Sequence, residues 1–129
     1  MTDTKLTLEL LQGSYAVSRQ NPTDEIPGWA FKGAFLSITR TMEELSIVCS
    51  EEEVPEKATC ERGWNILKIV GPLDFTLIGI LAPICAILAE QRISIFAVST
   101  FDTDYILIKA EKINKAIEAL CAEGYNVIR

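Results

Sequence analysis

From Trp64 to Arg129 the sequence runs through strand-like and helix-like patterns with almost no slack, and their order admits few folds. Ile66–Val70 is an apolar run closed by Gly71-Pro72, and Asp74 stands where a helix N-cap belongs. A helix is expected from there to about Gln91, with Ile80, Leu81, Ile84, Ile87 and Leu88 on its core face. Ile93–Thr100 and Tyr105–Lys109 read as two strands joined by the polar turn Phe101-Asp102-Thr103-Asp104. A second helix spans roughly Glu111–Glu123, with Ile113, Ala116, Ile117, Leu120 and Cys121 as its apolar positions; Gly124 closes it. Tyr125–Ile128 is a last short strand. Strand, helix, strand, strand, helix, strand is the split βαβ, or ferredoxin-like, α+β unit.

The first half is mostly β. Leu6, Leu8 and Leu10 alternate with Thr7 and Glu9, and Tyr15–Ser18 follows a turn at Gly13-Ser14, so an early hairpin is expected. Asn21-Pro22 through Ile26-Pro27-Gly28 must be loop, because prolines this close suit neither a helix interior nor a central strand. Ala34–Arg40 and Leu45–Ser50 flank Thr41–Glu44 as a second hairpin. Glu51–Glu53 starts a short, solvated helical turn cut by Pro55, and Val54–Arg62 is polar and broken enough to be a linker. The expected division is therefore 1–60 and 61–129. Trp29 and Trp64 flank the loop and linker and read as core or inter-unit anchors rather than ligand platforms.

Several function classes are disfavoured. A net charge of −6 and a pI near 4.7 argue against phosphate-backbone and anionic-membrane partners, which need a basic footprint. The chain has no histidine, so the usual general base and commonest metal ligand are missing. Cys49, Cys60, Cys85 and Cys121 lack CxxC pairing and read as thiols of a reducing cytosol, with neither a metal nor a cofactor implied. No secretory leader pattern is visible. The apolar run Leu77–Leu88, broken by Gly79 and Pro83, is too short to span a bilayer and reads as a helix buried on more than one side, bent at Pro83. Small Gly79 and Ala82 would let that helix pack closely. These features describe a soluble cytoplasmic protein without an evident catalytic constellation.

Shifting the Ala34–Ser50 hairpin by sixty positions lays Ile38-Thr39 on Val98-Ser99, Glu44 on Asp104, Ile47-Val48 on Leu107-Ile108 and Glu51 on Glu111. Character is kept although identities are nearly absent. An internal repeat accounts for this, and so does chance likeness between two β-hairpins.

The run Gly71-Pro72-Leu73-Asp74-Phe75, followed by Ile93 through Leu107 with its Ser99-Thr100-Phe101-Asp102-Thr103-Asp104-Tyr105 turn, resembles the ACT domain family. The closest resemblance is to the tandem-ACT type of aspartokinase regulatory regions and of the CASTOR arginine sensors. Met42–Cys49 resembles the matching strand of a preceding, reduced ACT-like unit. The resemblance implies a non-catalytic regulatory module that binds a small ligand, an amino acid, at the interface between ACT units. It would signal through assembly, as a homodimer, or through a regulated protein partner. The alternative is an ACT-like interaction module that has lost its ligand.

A free amino acid presents a carboxylate and an ammonium close together. The carboxylate suits backbone N–H groups at a helix N-terminus, and Gly71 lets a ligand approach the main chain. The ammonium needs an acidic partner, for which Asp74 and Asp104 are candidates. Asp74 reads equally as a plain N-cap worth about 1 kcal/mol, and Asp104 as an ordinary turn carboxylate. Carried over from the resemblance, the ligand-binding set is Ser46, Ile47, Gly71, Pro72, Leu73, Asp74, Thr100, Phe101 and Asp104.

Overall fold

The computed structural model describes residues 6–71 and 79–129. Its strands are β1 (Thr7–Leu10), β2 (Tyr15–Gln20), β3 (Ser37–Arg40), β4 (Leu45–Ser50), β5 (Cys60–Ile69), β6 (Ile95–Ser99), β7 (Asp104–Lys109) and β8 (Asn126–Ile128). The α-helices are α1 (Leu81–Glu90) and α2 (Ile113–Ala122), and short 3₁₀ turns cover Gly28–Phe31, Glu51–Glu53 and Ala110–Lys112. The backbone divides into two compact units. One is residues 13–64, and the other joins residues 1–12 to residues 65–129. Strand β5 is shared between them, its first half pairing in one unit and its second half in the other.

In the unit of residues 13–64, β4 lies between β2 and β3, antiparallel to both. The expected hairpin is present, with Arg40 opposite Leu45. Leu45, Ile47 and Cys49 fall on one face of β4 because strand side chains alternate. They build a small core with Ala16, Ala30 and Val54. On its other edge β2 pairs with Cys60–Trp64, so the expected linker ends three residues early. Glu61 and Arg62 are polar because they sit on a strand with a solvated side, not because the chain is loose. Two residues of β5 stand opposite Ala16 at this point, where the register shifts. Gly63 supplies the positive φ of +82° that such a bulge needs. Glu51 is more than solvated surface: its carboxylate accepts the Gly63 N–H at 2.7 Å. Arg62 donates to the carbonyls of Glu51, Val54 and Pro55 at 3.3, 3.2 and 2.8 Å, which holds the turn after β4 in place.

The other unit has the ferredoxin-like order β5-α1-β6-β7-α2-β8, with β7 between β5 and β6. Its core joins Leu67, Ile69, Ile106 and Ile108 of the sheet to Ile84 and Leu88 of α1 and Ile113, Ala116, Ile117 and Leu120 of α2. Each fully buried Leu or Ile contributes roughly 1.5–3 kcal/mol. Both helices end in the same way. Tyr125 N–H reaches Leu120 O and Gly124 N–H reaches Cys121 O, while Ile93 N–H reaches Leu88 O and Arg92 N–H reaches Ala89 O. These are Schellman closures, whose left-handed residue is Gly124 (φ +97°) in one and, against preference, Arg92 (φ +59°) in the other.

Five sequence expectations are corrected here. Strand β1 forms no hairpin with β2. It runs antiparallel to the second half of β5, with Leu8 opposite Ile69, and parallel to β8, with Leu8 opposite Val127. The alternating leucines were right about a strand and silent about its partner. Helix α1 begins only at Leu81, since Gly79 has φ +71° and Ile80 is a bend. Pro83 therefore lies in the first turn, where its missing N–H costs nothing, so the hydrogen-bond loss expected to bend the helix does not arise there. This helix is buried on one side: Ile84 and Leu88 are enclosed, whereas Ala82, Pro83, Ala86 and Ala89 face solvent. Cys121 is exposed, one step past the apolar stripe of α2.

The two hairpins share one local geometry, and they align at an offset of fifty-nine rather than sixty. Arg40 pairs with Leu45 as Ser99 pairs with Asp104. Thr41 and Thr100 then open the same turn. Thr41 N–H donates to Glu44 O at 2.9 Å, and Thr100 N–H donates to Thr103 O at 2.9 Å. The Thr41 hydroxyl accepts the Glu44 N–H at 3.1 Å, and the Thr100 hydroxyl accepts the Thr103 N–H at 3.3 Å. The 3₁₀ turns Glu51–Glu53 and Ala110–Lys112 follow at the same offset. An offset of sixty would put every side chain on the wrong face.

Candidate functional site

Thr103 organises one end of the unit formed by residues 65–129. Its side chain is 4% exposed, and its hydroxyl donates to the Ile69 carbonyl at 2.6 Å. That bond ties the β6–β7 turn to the end of β5, two residues before Gly71. Gly71, Thr100 and Phe101 are thereby gathered at one end of the unit, all solvent-accessible. Phe101, at the tip of the turn, is 78% exposed, an unusual setting for a phenylalanine. The Thr100 hydroxyl also donates to Thr103 O at 3.0 Å, so it holds the turn closed.

Asp104 opens β7 opposite Ser99 and is half-buried. Burial chiefly, and then the Asp104 charge, push the Cys85 thiol of α1 above its ordinary range. Asp104 thus lies within electrostatic reach of the first turns of that helix. Ser46 and Ile47 lie on β4, in the unit of residues 13–64. Ser46 is half-buried. Ile47 is fully enclosed, and its carbonyl accepts the Ser18 hydroxyl at 3.4 Å. Pro72, Leu73 and Asp74, with the N-cap expected at Asp74, lie outside the described residues.

The sequence reading missed a cleft of about 400 Å³ in the unit of residues 13–64. Its walls are the end of β2 with the Asn21–Asp24 turn, the Trp29 indole, and the stretch from Pro55 to Thr59. The signal for it was present: Asn21-Pro22-Thr23-Asp24 and Gly71-Pro72-Leu73-Asp74 share one pattern, fifty positions apart. Among the described residues, no group of three or more His, Cys, Asp or Glu side chains is placed to hold a metal ion. No helix among them is long and apolar enough to cross a membrane.

With this geometry in view, residues 59–122 match the family model of the ACT domain. Residues 13–57 match a separate model described as an N-terminal domain. The chain belongs to the ACT domain family. It is 28% identical over 100 residues to the cytosolic arginine sensor for mTORC1 subunit 1 of Bos taurus, covering 69% of this chain and 30% of that protein. The crystal structure of protein Atu0741 from Agobacterium tumefaciens superposes with a TM-score of 0.91 at 37% identity, covering 96% of this chain and 92% of that one. The aspartokinase alpha and beta subunit structure matches with a TM-score of 0.61 at 17% identity, covering 90% of this chain and 95% of that one, a likeness of fold. The chain spans 30% and 53% of the length of the curated relatives it matches.

Proposed function

We propose that this chain is a non-catalytic regulatory module that binds a free amino acid at the end of its C-terminal ACT unit. The observation that carries the reading is the convergence of Gly71, Thr100 and exposed Phe101, pinned by the buried Thr103–Ile69 bond, within the segment that matches the ACT domain. The Gly71 backbone offers a surface without a side chain for the carboxylate; Pro72, Leu73 and Asp74, next in sequence, stay in the proposed ligand-binding set. Asp104 supplies a carboxylate for the ammonium. Phe101 is the face against which the ligand's side chain rests. Ser46 is the contact contributed when a second copy docks, which makes the homodimer the signalling state; Ile47, enclosed in the core of its own unit, offers no side chain to it. A ligand completed by association couples amino-acid level to assembly and to a regulated protein partner. The relative named as an arginine sensor supports amino acids as the class to test. The reduced ACT-like unit lies within residues 13–64, and Gly71, Thr100, Phe101 and Asp104 lie in the unit that includes residues 65–129.

A thermal-shift screen of the purified chain against the twenty amino acids tests this. A ligand at a hundred times its dissociation constant adds about 2.7 kcal/mol of stability, and one amino acid is expected to do so. No shift with any of them, in a folded protein, would leave the ligand-free interaction module as the reading.

A further inference from the structure

The two units repeat one local arrangement. In each, the strand paired with the second strand of the hairpin runs into an X-Pro-X-Asp segment: β2 into Asn21–Asp24, and β5 into residues 71–74. In each, the hairpin turn opens with a threonine and carries a large exposed apolar side chain at its second position, Met42 (94%) or Phe101 (78%). The cleft of about 400 Å³ lies at the N-terminal copy of this segment.

We infer that this cleft is a second binding site, for a small organic carboxylate with an apolar body. Its volume falls within the range of small-molecule pockets, roughly 300–1,000 Å³. Arg19, Lys57 and Asp24 are its charged lining residues. Asp24 is already committed to the turn: its Oδ2 accepts the Asn21 N–H at 3.1 Å and the Gln20 side-chain amide at 3.5 Å. Arg19 and Lys57 against Asp24 leave the lining with one net positive charge, in a chain whose net charge is −6. One nitrogen of Arg19 donates to the Glu43 carbonyl at 2.9 Å. That bond holds the Arg19 guanidinium toward the β3–β4 turn, so Lys57 is the cation left for a carboxylate. Trp29, with Pro55 and Ala58, provides an apolar wall for the body of the ligand.

The cleft is also braced before any ligand arrives. Arg40 donates to the Pro22 carbonyl and, at 3.0 Å, to the Asp24 carbonyl. The Arg19 N–H donates to Thr59 O at 2.9 Å, and the Ala58 N–H to Pro55 O at 3.1 Å. A preformed site loses little conformational freedom on binding. None of these residues belongs to the amino-acid site proposed above, so either reading can fail alone.

The test is a two-dimensional NMR titration of the ¹⁵N-labelled full chain with sodium benzoate, and with benzamide as the uncharged isostere. Benzoate is expected to give saturable shifts at the amides of Asn21, Asp24, Ala58 and Thr59, with benzamide at least tenfold weaker. Lys57→Glu, at an exposed position, is expected to weaken benzoate at least tenfold while the rest of the spectrum is unchanged; Lys57→Gln serves if that spectrum collapses. Absence of saturation, equal affinity for benzamide, or undiminished binding in the folded Lys57 variant would overturn the inference. Shifts confined to Gly71, Thr100 and Phe101 would also overturn it, and would leave the amino-acid site standing.

Discussion

Replacing Thr103 by valine separates a hydrogen bond from shape, because valine fills almost the same volume without the hydroxyl. The Thr103 side chain is 4% exposed and its bond to the Ile69 carbonyl is 2.6 Å long, so water has little access to either group. Losing the bond forfeits about 0.5–1.5 kcal/mol, and a buried carbonyl left short of a partner costs about 1–3 kcal/mol more where nothing rearranges. Partial relief by the strand ladder brings the expected loss to about 2 kcal/mol. For a chain of this size that is a fall in Tm of roughly 6–10 °C. Thr103→Ser keeps the hydroxyl and removes one methyl, an expected loss of about 0.8 kcal/mol. Urea denaturation of the two variants beside the parent measures both values. Valine within 0.5 kcal/mol of the parent, or serine costing more than valine, would refute the claim that this hydroxyl fastens the β6–β7 turn to the end of β5.

Other perturbations follow from local geometry. Arg92 occupies the left-handed closure of α1, a conformation costing an L-residue about 1–2 kcal/mol; Arg92→Gly should raise stability by up to about 1 kcal/mol in the same urea assay. Gly63 and Gly33 both have positive φ, but a Cβ at Gly63 meets nothing within 4 Å, whereas one at Gly33 falls 2.3 Å from the Ser50 hydroxyl oxygen. Gly63→Ala should therefore cost about 1–2 kcal/mol and Gly33→Ala clearly more, and Ser50→Gly should recover part of the Gly33→Ala loss alone. Asp104→Asn removes the charge that, after burial, raises the Cys85 thiol. Its pKa should fall and its alkylation by iodoacetamide near pH 8 should speed up, followed on the Cys85 peptide by mass spectrometry.

The order of elements in the second half was legible because each element there carries its own period and its own stop, as Gly124 does for α2. Pairing was less legible. Leu6, Leu8 and Leu10 announce a strand, yet its neighbours β5 and β8 lie far along the chain, where no local signal points. Cys60–Arg62 read as linker because a strand with a solvated side and a Gly63 bulge loses its apolar alternation. The likeness of the two hairpins was visible as hydrophobic character, while its register needed the paired roles of Thr41 and Thr100. Of the candidate site, the segments around Gly71 and Thr100–Phe101 were singled out in the sequence, and the fold brings them to one end of their unit. Thr103, the residue that joins them, looked like any turn threonine. The N-terminal cleft left one trace, the X-Pro-X-Asp pattern shared by Asn21–Asp24 and residues 71–74, while Arg19, Trp29 and Lys57 read as scattered charges and a lone aromatic.

The central claim is that the C-terminal ACT unit holds an amino acid against Phe101. Calorimetric titration of the parent and of Phe101→Ala, using the amino acid that gives the largest thermal shift, tests it most directly. Phe101 is exposed, so the substitution should leave the fold intact. The account predicts saturable binding of one amino acid per chain, weakened at least tenfold in the variant. No binding heat from any of the twenty, or undiminished affinity without the Phe101 ring, would contradict it.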